Sequence, residues 1–173
     1  MRVLTKFTLI FVLVFGSGLY ASAYLSFEFL ERNARDQVIQ QARLMMESAS
    51  SMRHYTSNEI KPLLDTPAMR RVRFYAQTIP AYSATQTFNT LRGNGYPDYV
   101  YKEATLNPTN LRDRAVDWEA DIISSFRNFP DRTEIIGERQ TPSGPSLILA
   151  HPIKAPVACL ECHSTPEVAP PSM

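Results

Sequence analysis

Two cysteines and a histidine stand together near the C-terminal end of the sequence, in the run Cys159-Leu160-Glu161-Cys162-His163. This C-x-x-C-H pattern is the attachment signature of c-type haem. Two thiols separated by two residues can add to the two vinyl groups of one porphyrin, and the adjacent histidine then binds the iron from its proximal side. The run therefore predicts one covalently attached haem c, with Cys159 and Cys162 as the attachment residues and His163 as the proximal iron ligand.

Other proteins use paired cysteines for different chemistry. A thioredoxin-type redox pair also has the C-x-x-C spacing, but it accompanies a βαβ pattern, whereas this pair lies in a proline-rich stretch. A structural zinc site needs four ligands and usually a second paired motif, and the sequence has only 2 cysteines. The same count excludes a disulfide-stapled miniprotein. Haem attachment is therefore the favoured interpretation.

The second axial ligand of the iron is less clearly marked, and His151 and His54 are the two remaining histidines. His151 shares the apolar face of a predicted strand with Leu149 and Ile153, so a hydrogen-bonded core histidine or a haem-propionate partner is the competing interpretation. His54 lies off the apolar stripe of its helix, where a solvated position competes with a ligand role. An open or water-occupied position is also left open, as is ligation by a methionine, of which the candidates are Met45, Met46, Met52 and Met69.

The N-terminal part of the sequence predicts a membrane anchor. Residues 7–27 carry no charge, and a helix of that length spans about 30 Å, the thickness of a bilayer core. Arg2 and Lys6 precede the stretch, and Glu28 and Glu31 follow it. By the positive-inside rule the N-terminus stays in the cytoplasm. We therefore expect a single-pass protein of the inner membrane, with the haem domain facing the periplasm.

A cleaved signal peptide is the alternative for the same stretch. Arg2 and Lys6 would form its basic region, residues 7–15 its apolar core, and residues 21–23 (Ala-Ser-Ala) its cleavage site. An uncleaved anchor is favoured, because the apolar run continues past residue 23 directly into a helical pattern. Both alternatives place most of the chain outside the cytoplasm, where c-type haem is attached.

An apolar stripe at intervals of three or four residues predicts a long amphipathic helix after the anchor. The helix should continue to about residue 60 and end before Pro62. Its apolar face should pack on the following domain or on a partner helix, so residues 28–61 are the candidate surface for a homodimer. The stripe consists of Leu30, Ala34, Val38, Ala42, Met45, Ala49 and Met52.

Beyond this helix, the pattern predicts an α+β fold with a small antiparallel sheet and flanking helices. Residues 99–105 are rich in aromatic and β-branched side chains and predict a strand. A turn and helix N-cap signal at residues 107–110 precedes one apolar helix face over residues 111–126. Residues 134–140 and 146–153 flank a Pro-Ser-Gly-Pro turn and predict a β-hairpin.

The predicted organisation has three parts: an anchor at residues 1–27, the long helix at residues 28–65, and a haem domain at residues 66–173 that ends in a proline-rich tail. Lys+Arg 18 against Asp+Glu 17 gives a net charge of +1. This balance excludes nucleic acid as an expected partner, since such binding requires a basic excess or stripe. No acid/base pair stands out from the charged faces, so no enzymatic activity is predicted.

Several stretches after the anchor together carry a family resemblance: MRHYT at residues 52–56, KPLL at 61–64, YKEATLNPTN at 101–110, WE at 118–119, GPSL at 144–147 and CLECHSTPE at 159–167. In these stretches the sequence resembles the Tll0287-like family of c-type haem domains. The resemblance implies a PAS-like fold with one haem c, alone or as the extracytoplasmic sensor of signalling proteins. Members usually continue through a further strand, so it also implies a short or truncated member. Some members have an extra upstream cysteine, which this chain lacks.

Two function classes follow from these observations. The first is a membrane-tethered redox or gas sensor that acts through the long helix on a separate signalling protein. The second is an electron-transfer cytochrome c with a redox partner. A strong distal iron ligand favours electron transfer, whereas a vacant or displaceable one favours sensing.

Overall fold

The computed structural model describes residues 2–108, 110–141, 144–155 and 157–163. The chain divides into two compact units between Ala42 and Arg43, and the boundaries expected at residues 27 and 65 stay predictions. The fold is α+β, as predicted. Its helices are α1 (Val3–Tyr55), α2 (Lys61–Leu64), α3 (Pro67–Val72), α4 (Pro80–Gly93), α5 (Asp117–Asn128) and α6 (Leu160–His163), and its strands are β1 (Ile135–Thr141) and β2 (Gly144–Ala150).

Helix α1 contains the apolar stretch and continues without interruption for 53 residues. The apolar side chains of residues 7–27 are exposed, and among the described residues α1 belongs to the one helical segment long and apolar enough to cross a membrane. The expectation that the apolar stretch runs directly into a long helix is therefore confirmed. Its length and composition are consistent with a single-pass anchor.

The helical path changes in form after Tyr55. A π-helical turn occupies Thr56–Ile60, and the Lys61 amide N–H donates to the Thr56 carbonyl across the turn. Pro62 follows inside the first turn of α2. In a continued α-helix the proline ring would clash with the carbonyl four residues earlier, and the wider π turn offers relief from that clash. The regular α-helix thus ends at Tyr55, seven residues before Pro62, while helical structure continues through Pro62 to Leu64, so the expectation that the helix ends before Pro62 is wrong.

The core of the second unit lies where α1 meets α4. Its buried apolar side chains are Ala49 from α1 and Ala84 and Phe88 from α4, and the partly buried residues packed against them are Met45, Leu91 and Tyr101. Pro80, at the first position of α4, begins this helix, because its fixed φ and missing N–H suit the first turn. The C-terminal half of the predicted apolar stripe therefore packs on the domain.

The strand predicted at residues 99–105 is wrong. Within the described residues, this segment forms only one isolated parallel bridge, between Thr105 and Arg114. The Thr105 N–H donates to the Asp113 carbonyl, and the Ala115 N–H donates to the Thr105 carbonyl, each at 2.9 Å. Aromatic and β-branched residues suit a pleated, half-buried surface, but a strand also needs a neighbouring ladder. In residues 99–105, side-chain contacts hold the segment in place instead of a strand ladder.

The helix predicted at residues 111–126 begins later than expected. The Asn110 side chain accepts from the Arg112 N–H and caps only a short 3-10 turn, Leu111–Asp113. Helix α5 starts at Asp117, and the Glu119 carboxylate accepts from the Val116 N–H at 2.9 Å. A side-chain acceptor for an otherwise unpaired amide at a helix start fixes where the helix begins.

Strands β1 and β2 form the predicted hairpin, paired from Ile135 opposite Ala150 to Thr141 opposite Gly144. Gly144 has a φ of +115°, a conformation that glycine adopts without the steric cost of a side chain. On β1, the Arg139 guanidinium lies 4.9 Å from the Trp118 ring centroid of α5, which joins the hairpin to that helix. Residues 164–173 of the predicted tail lie outside the described residues.

Candidate cofactor site

The C-x-x-C-H run lies on consecutive helical turns. A 3-10 turn over Val157–Cys159 leads directly into α6. Residues three and four positions apart are neighbours on the surface of a helix, so the backbone places positions 162 and 163 beside position 159. Cys159 is a free, half-buried cysteine and His163 is exposed. This local backbone brings two attachment positions and one ligand position to one side of a short helical segment.

Three of the described side chains in and before this segment are apolar and exposed. Val157 is 83% exposed, Ile153 52% and Leu160 48%. Apolar side chains gathered beside a motif indicate a surface that a bound partner or group covers. Both faces of a porphyrin are apolar, and its attachment requires nearby thiols and an imidazole. The donor set and its apolar surroundings therefore fit a haem held by Cys159, Cys162 and His163.

His151 lies beside an ion pair. Its Nε2 is 3.0 Å from Glu134 Oε2, and the carboxylate also accepts from Arg43, with Nη2 to Oε1 at 2.7 Å and Nε to Oε2 at 3.1 Å. Glu134 directly precedes β1 and His151 directly follows β2, so the two residues extend the hairpin register by one position. Arg43 lies on α1. The Glu134 carboxylate thus links α1 to His151 across the base of the hairpin.

The charges of this cluster reinforce one another. Hydrogen bonds from Arg43 and then His151 lower the pKa of Glu134 from 4.5 to about 2. The same carboxylate raises the pKa of the Arg43 guanidinium. Glu134 is therefore ionised throughout the physiological range and accepts hydrogen bonds only.

The two candidate distal histidines occupy different environments. His151 directs Nε2 at Glu134, which leaves Nδ1 as its other ring nitrogen. His54 is exposed on the last turn of α1, apart from the buried Ala49 side of that helix. Within the described part of the chain, no group of three or more His, Cys, Asp and Glu side chains is placed to hold a metal ion. The iron-ligand roles of His151 and His54 stay predictions.

A second polar cluster was not identified from the sequence. Tyr101 stacks on Phe88 with ring centroids 4.7 Å apart, and its hydroxyl donates to Glu103 Oε1 at 2.8 Å. The other carboxylate oxygen of Glu103 accepts from the Arg53 guanidinium of α1. Burial, followed by the charge of Glu103, raises the pKa of Tyr101 well above its usual value. This cluster fastens residues 101–103 to α1 and α4.

Lys102, in the same segment, has a different set of partners. Its Nζ donates to the Arg114 carbonyl at 2.7 Å and to Glu119 Oε2 at 2.6 Å. The segment is therefore held on both sides by successive side chains, Tyr101 and Glu103 on one side and Lys102 on the other. The only available sequence signal was the YKEATLNPTN stretch itself, because the partners lie up to 50 residues away along the chain.

Comparison with known proteins supports the interpretation of the motif. The Tll0287-like family model matches residues 31–173, which include α1 beyond the apolar stretch, the hairpin and the C-x-x-C-H run. Searches of curated proteins and of solved structures found no match. With most of its length matched, the chain belongs to the Tll0287-like family, a family of c-type haem domains.

Proposed function

We propose that this protein is a membrane-anchored, extracytoplasmic c-type haem protein that senses redox state or a small gas through a PAS-like domain. The observation that carries the proposal is the C-x-x-C-H run on a helical segment with exposed apolar neighbours, in a chain of a c-type haem family. The continuity of α1 supports the anchor, because the apolar stretch and the domain-packing residues belong to one helix. In this proposal the protein binds a haem and transmits its oxidation or ligand state, and it does not act as an enzyme.

Three residues divide the task of holding one haem. Cys159 and Cys162 supply the thiols for covalent attachment, and His163 supplies the proximal imidazole. The bound haem supplies an iron atom that changes oxidation state or binds a diatomic gas. Val157, just before the motif, and Leu160, within it, present exposed apolar side chains that the bound haem would cover. Residues 152–158 connect this segment to the base of the hairpin at His151.

The distal side decides which signal the protein can detect. We propose a weak or exchangeable ligand at that position. Two observations support this: Nε2 of His151 is engaged by Glu134, and His54 is exposed. In addition, both cysteines belong to the attachment motif, so this sequence offers no further thiolate. A ligand that leaves readily allows a gas to bind and allows the haem to report on its surroundings.

Electron transfer is the alternative function. It requires the same attachment residues and an exposed haem edge, and the exposed Val157 and Leu160 also fit a docking site for a redox partner. The two functions differ in the strength of the distal ligand. A strong methionine or histidine ligand fixes the iron for fast electron exchange and excludes gases.

A spectroscopic experiment tests the proposal and separates the two functions. The full-length protein is expressed with haem-maturation factors, and a pyridine haemochrome assay identifies and counts the haem. Visible spectra of the ferrous form are then recorded with and without CO and NO. We expect one haem c and a shifted Soret band with each gas. Absence of haem contradicts the proposal, whereas haem that ignores both gases favours the electron-transfer alternative.

A further inference from the structure

Glu134 bonds to two parts of the second unit that are far apart in sequence. Arg43 is 91 residues before it and His151 is 17 residues after it. The guanidinium makes two parallel hydrogen bonds to the carboxylate, a geometry that fixes orientation as well as distance. The Glu134 side chain is only 23% exposed, which limits screening by solvent.

The positions of these three residues link the motif segment to α1. His151 is the first residue after β2, and the chain from His151 leads within eight residues to Cys159. Arg43 lies on α1, two residues before Met45 and six residues before Ala49, which pack in the core of the second unit. A displacement of the backbone at His151 therefore acts on Arg43 through a single carboxylate.

We infer that Glu134 is a positioning residue that couples the haem-attachment segment, residues 151–163, to α1 through His151 and Arg43. The inference rests on the proposed sensor function and names the contact that links the haem-attachment segment to α1. Hydrogen-bond and salt-bridge networks can carry coupling between two regions, and Glu134 has hydrogen bonds to a residue of each region. Without the Glu134 carboxylate the haem should stay attached, but its oxidation or ligand state should no longer change amide exchange in α1.

Hydrogen exchange in the full-length haem-loaded protein tests the coupling. The protein is held in detergent micelles, and exchange of amides in residues 43–52 is measured by mass spectrometry in the ferric form, the ferrous form and the NO-bound ferrous form. Exchange reports local opening of the helix. In the wild type we expect rates that differ about fivefold between states, the lower end of measured coupling between sites.

Two variants break the contact from opposite sides. Glu134→Gln removes the charge that binds both partners, and Arg43→Gln removes the α1 partner from an exposed position. Each should reduce the difference between states to less than about twofold. The double variant should reduce it no further, since residues in one network are not additive. Glu119→Gln is the matched control, because its carboxylate joins Lys102 and α5 without contacting α1, and it should retain the wild-type difference.

The outcomes distinguish this inference from the function on which it rests. A difference between states that persists in Glu134→Gln and Arg43→Gln overturns the coupling role and leaves the sensor function intact. A haem-loaded wild type with no difference between states also overturns the coupling role, and the CO and NO spectra decide the sensor function separately. A structural role alone would change stability equally in every haem state, so an unchanged difference with a lower melting temperature also overturns the inference.

Discussion

Removal of the Tyr101 hydroxyl should destabilise the second unit by a defined amount. Tyr101→Phe retains the ring and its stacking on Phe88 but removes the hydrogen bond to Glu103. Hydrogen bonds to charged groups contribute about 1.5–3 kcal/mol. The Glu103 side chain is 13% exposed and keeps its pairing with Arg53, so we expect a loss of about 1–2 kcal/mol, near the lower end of that range.

Thermal unfolding of the full chain in detergent, followed by circular dichroism, measures this loss. The second unit runs from Arg43 to Met173, and the unfolding entropy of a unit of that size turns about 1.5 kcal/mol into a fall of about 5 °C in Tm. Glu103→Ala should cost about 3 kcal/mol or more, because it leaves the Arg53 charge and the Tyr101 hydroxyl unpaired. Tyr96→Phe is the matched control, since its side chain is exposed and its substitution should cost less than about 0.5 kcal/mol.

The pH dependence gives the same contact a second signature. The pKa of Tyr101 is raised in the folded protein by burial and by Glu103, so the folded state holds the phenolic proton more tightly than the unfolded state. The resulting stability is complete below the usual tyrosine pKa of about 10 and is lost as pH rises above it. The wild type should therefore approach Tyr101→Phe in stability above about pH 10. Equal stabilities at neutral pH, or a gap that widens in alkali, would refute the reasoning.

Four further outcomes are expected. Haem-peroxidase staining after denaturing electrophoresis should show a band in the wild type that weakens in Cys162→Ser and disappears when Cys159→Ser is added; an unstained wild type contradicts covalent attachment. Mass spectrometry should find the apolar stretch in the mature protein, and an N-terminus at Tyr24 would instead indicate a cleaved signal peptide. Ferrous protein should bind CO and NO with a Soret shift, and a requirement for His151→Ala before the gases bind would show that His151 is a strong ligand. In the wild type, the stability that ionised Glu134 contributes is present above pH 4.5 and is lost as pH falls towards its lowered pKa of about 2. Glu134→Gln lacks this contribution, so its stability should fall less than that of the wild type over this pH range. An equal fall in both proteins would contradict the pairing of Glu134 with Arg43 and His151.

Local sequence signals account for the features that were predicted well. The hairpin depends on a turn with Gly144 at positive φ and on the two flanking segments that pair as β1 and β2, all within about 17 residues. Helix α1 depends on a continuous pattern without proline. Each of these features is specified by neighbours along the chain, so a periodicity or a turn residue suffices to predict it.

One error arose because the deciding partners are not chain neighbours, and another arose because a second local cap decides where the helix begins. The composition of residues 99–105 favours a strand, but a ladder needs a second strand, and the side chains of this segment instead contact partners that include Arg53, Phe88 and Glu119. The start of α5 was misplaced because Asn110 is a good capping residue, yet the cap that fixes the helix is Glu119 inside it. Propensity describes what a segment tolerates, and tertiary contacts decide which option is taken.

The charged clusters could not be predicted from any local sequence pattern, and they also bear on function. Neither Arg43 with Glu134 nor Arg53 with Glu103 forms a sequence pattern, since the members lie 91 and 50 residues apart. Yet both clusters lie within the second unit and hold residues 43–55 of α1 against the rest of it, beside a described core whose buried apolar side chains are Ala49, Ala84 and Phe88. Packed apolar contacts resist any displacement, whereas an ion pair depends on the charge of each partner and on the angle between them. Residues 43–55 of α1 are therefore held by apolar packing and also by two carboxylate contacts. The carboxylate contacts are the part that is sensitive to small shifts at one residue, which is the property that the proposed sensor requires between its site and its output.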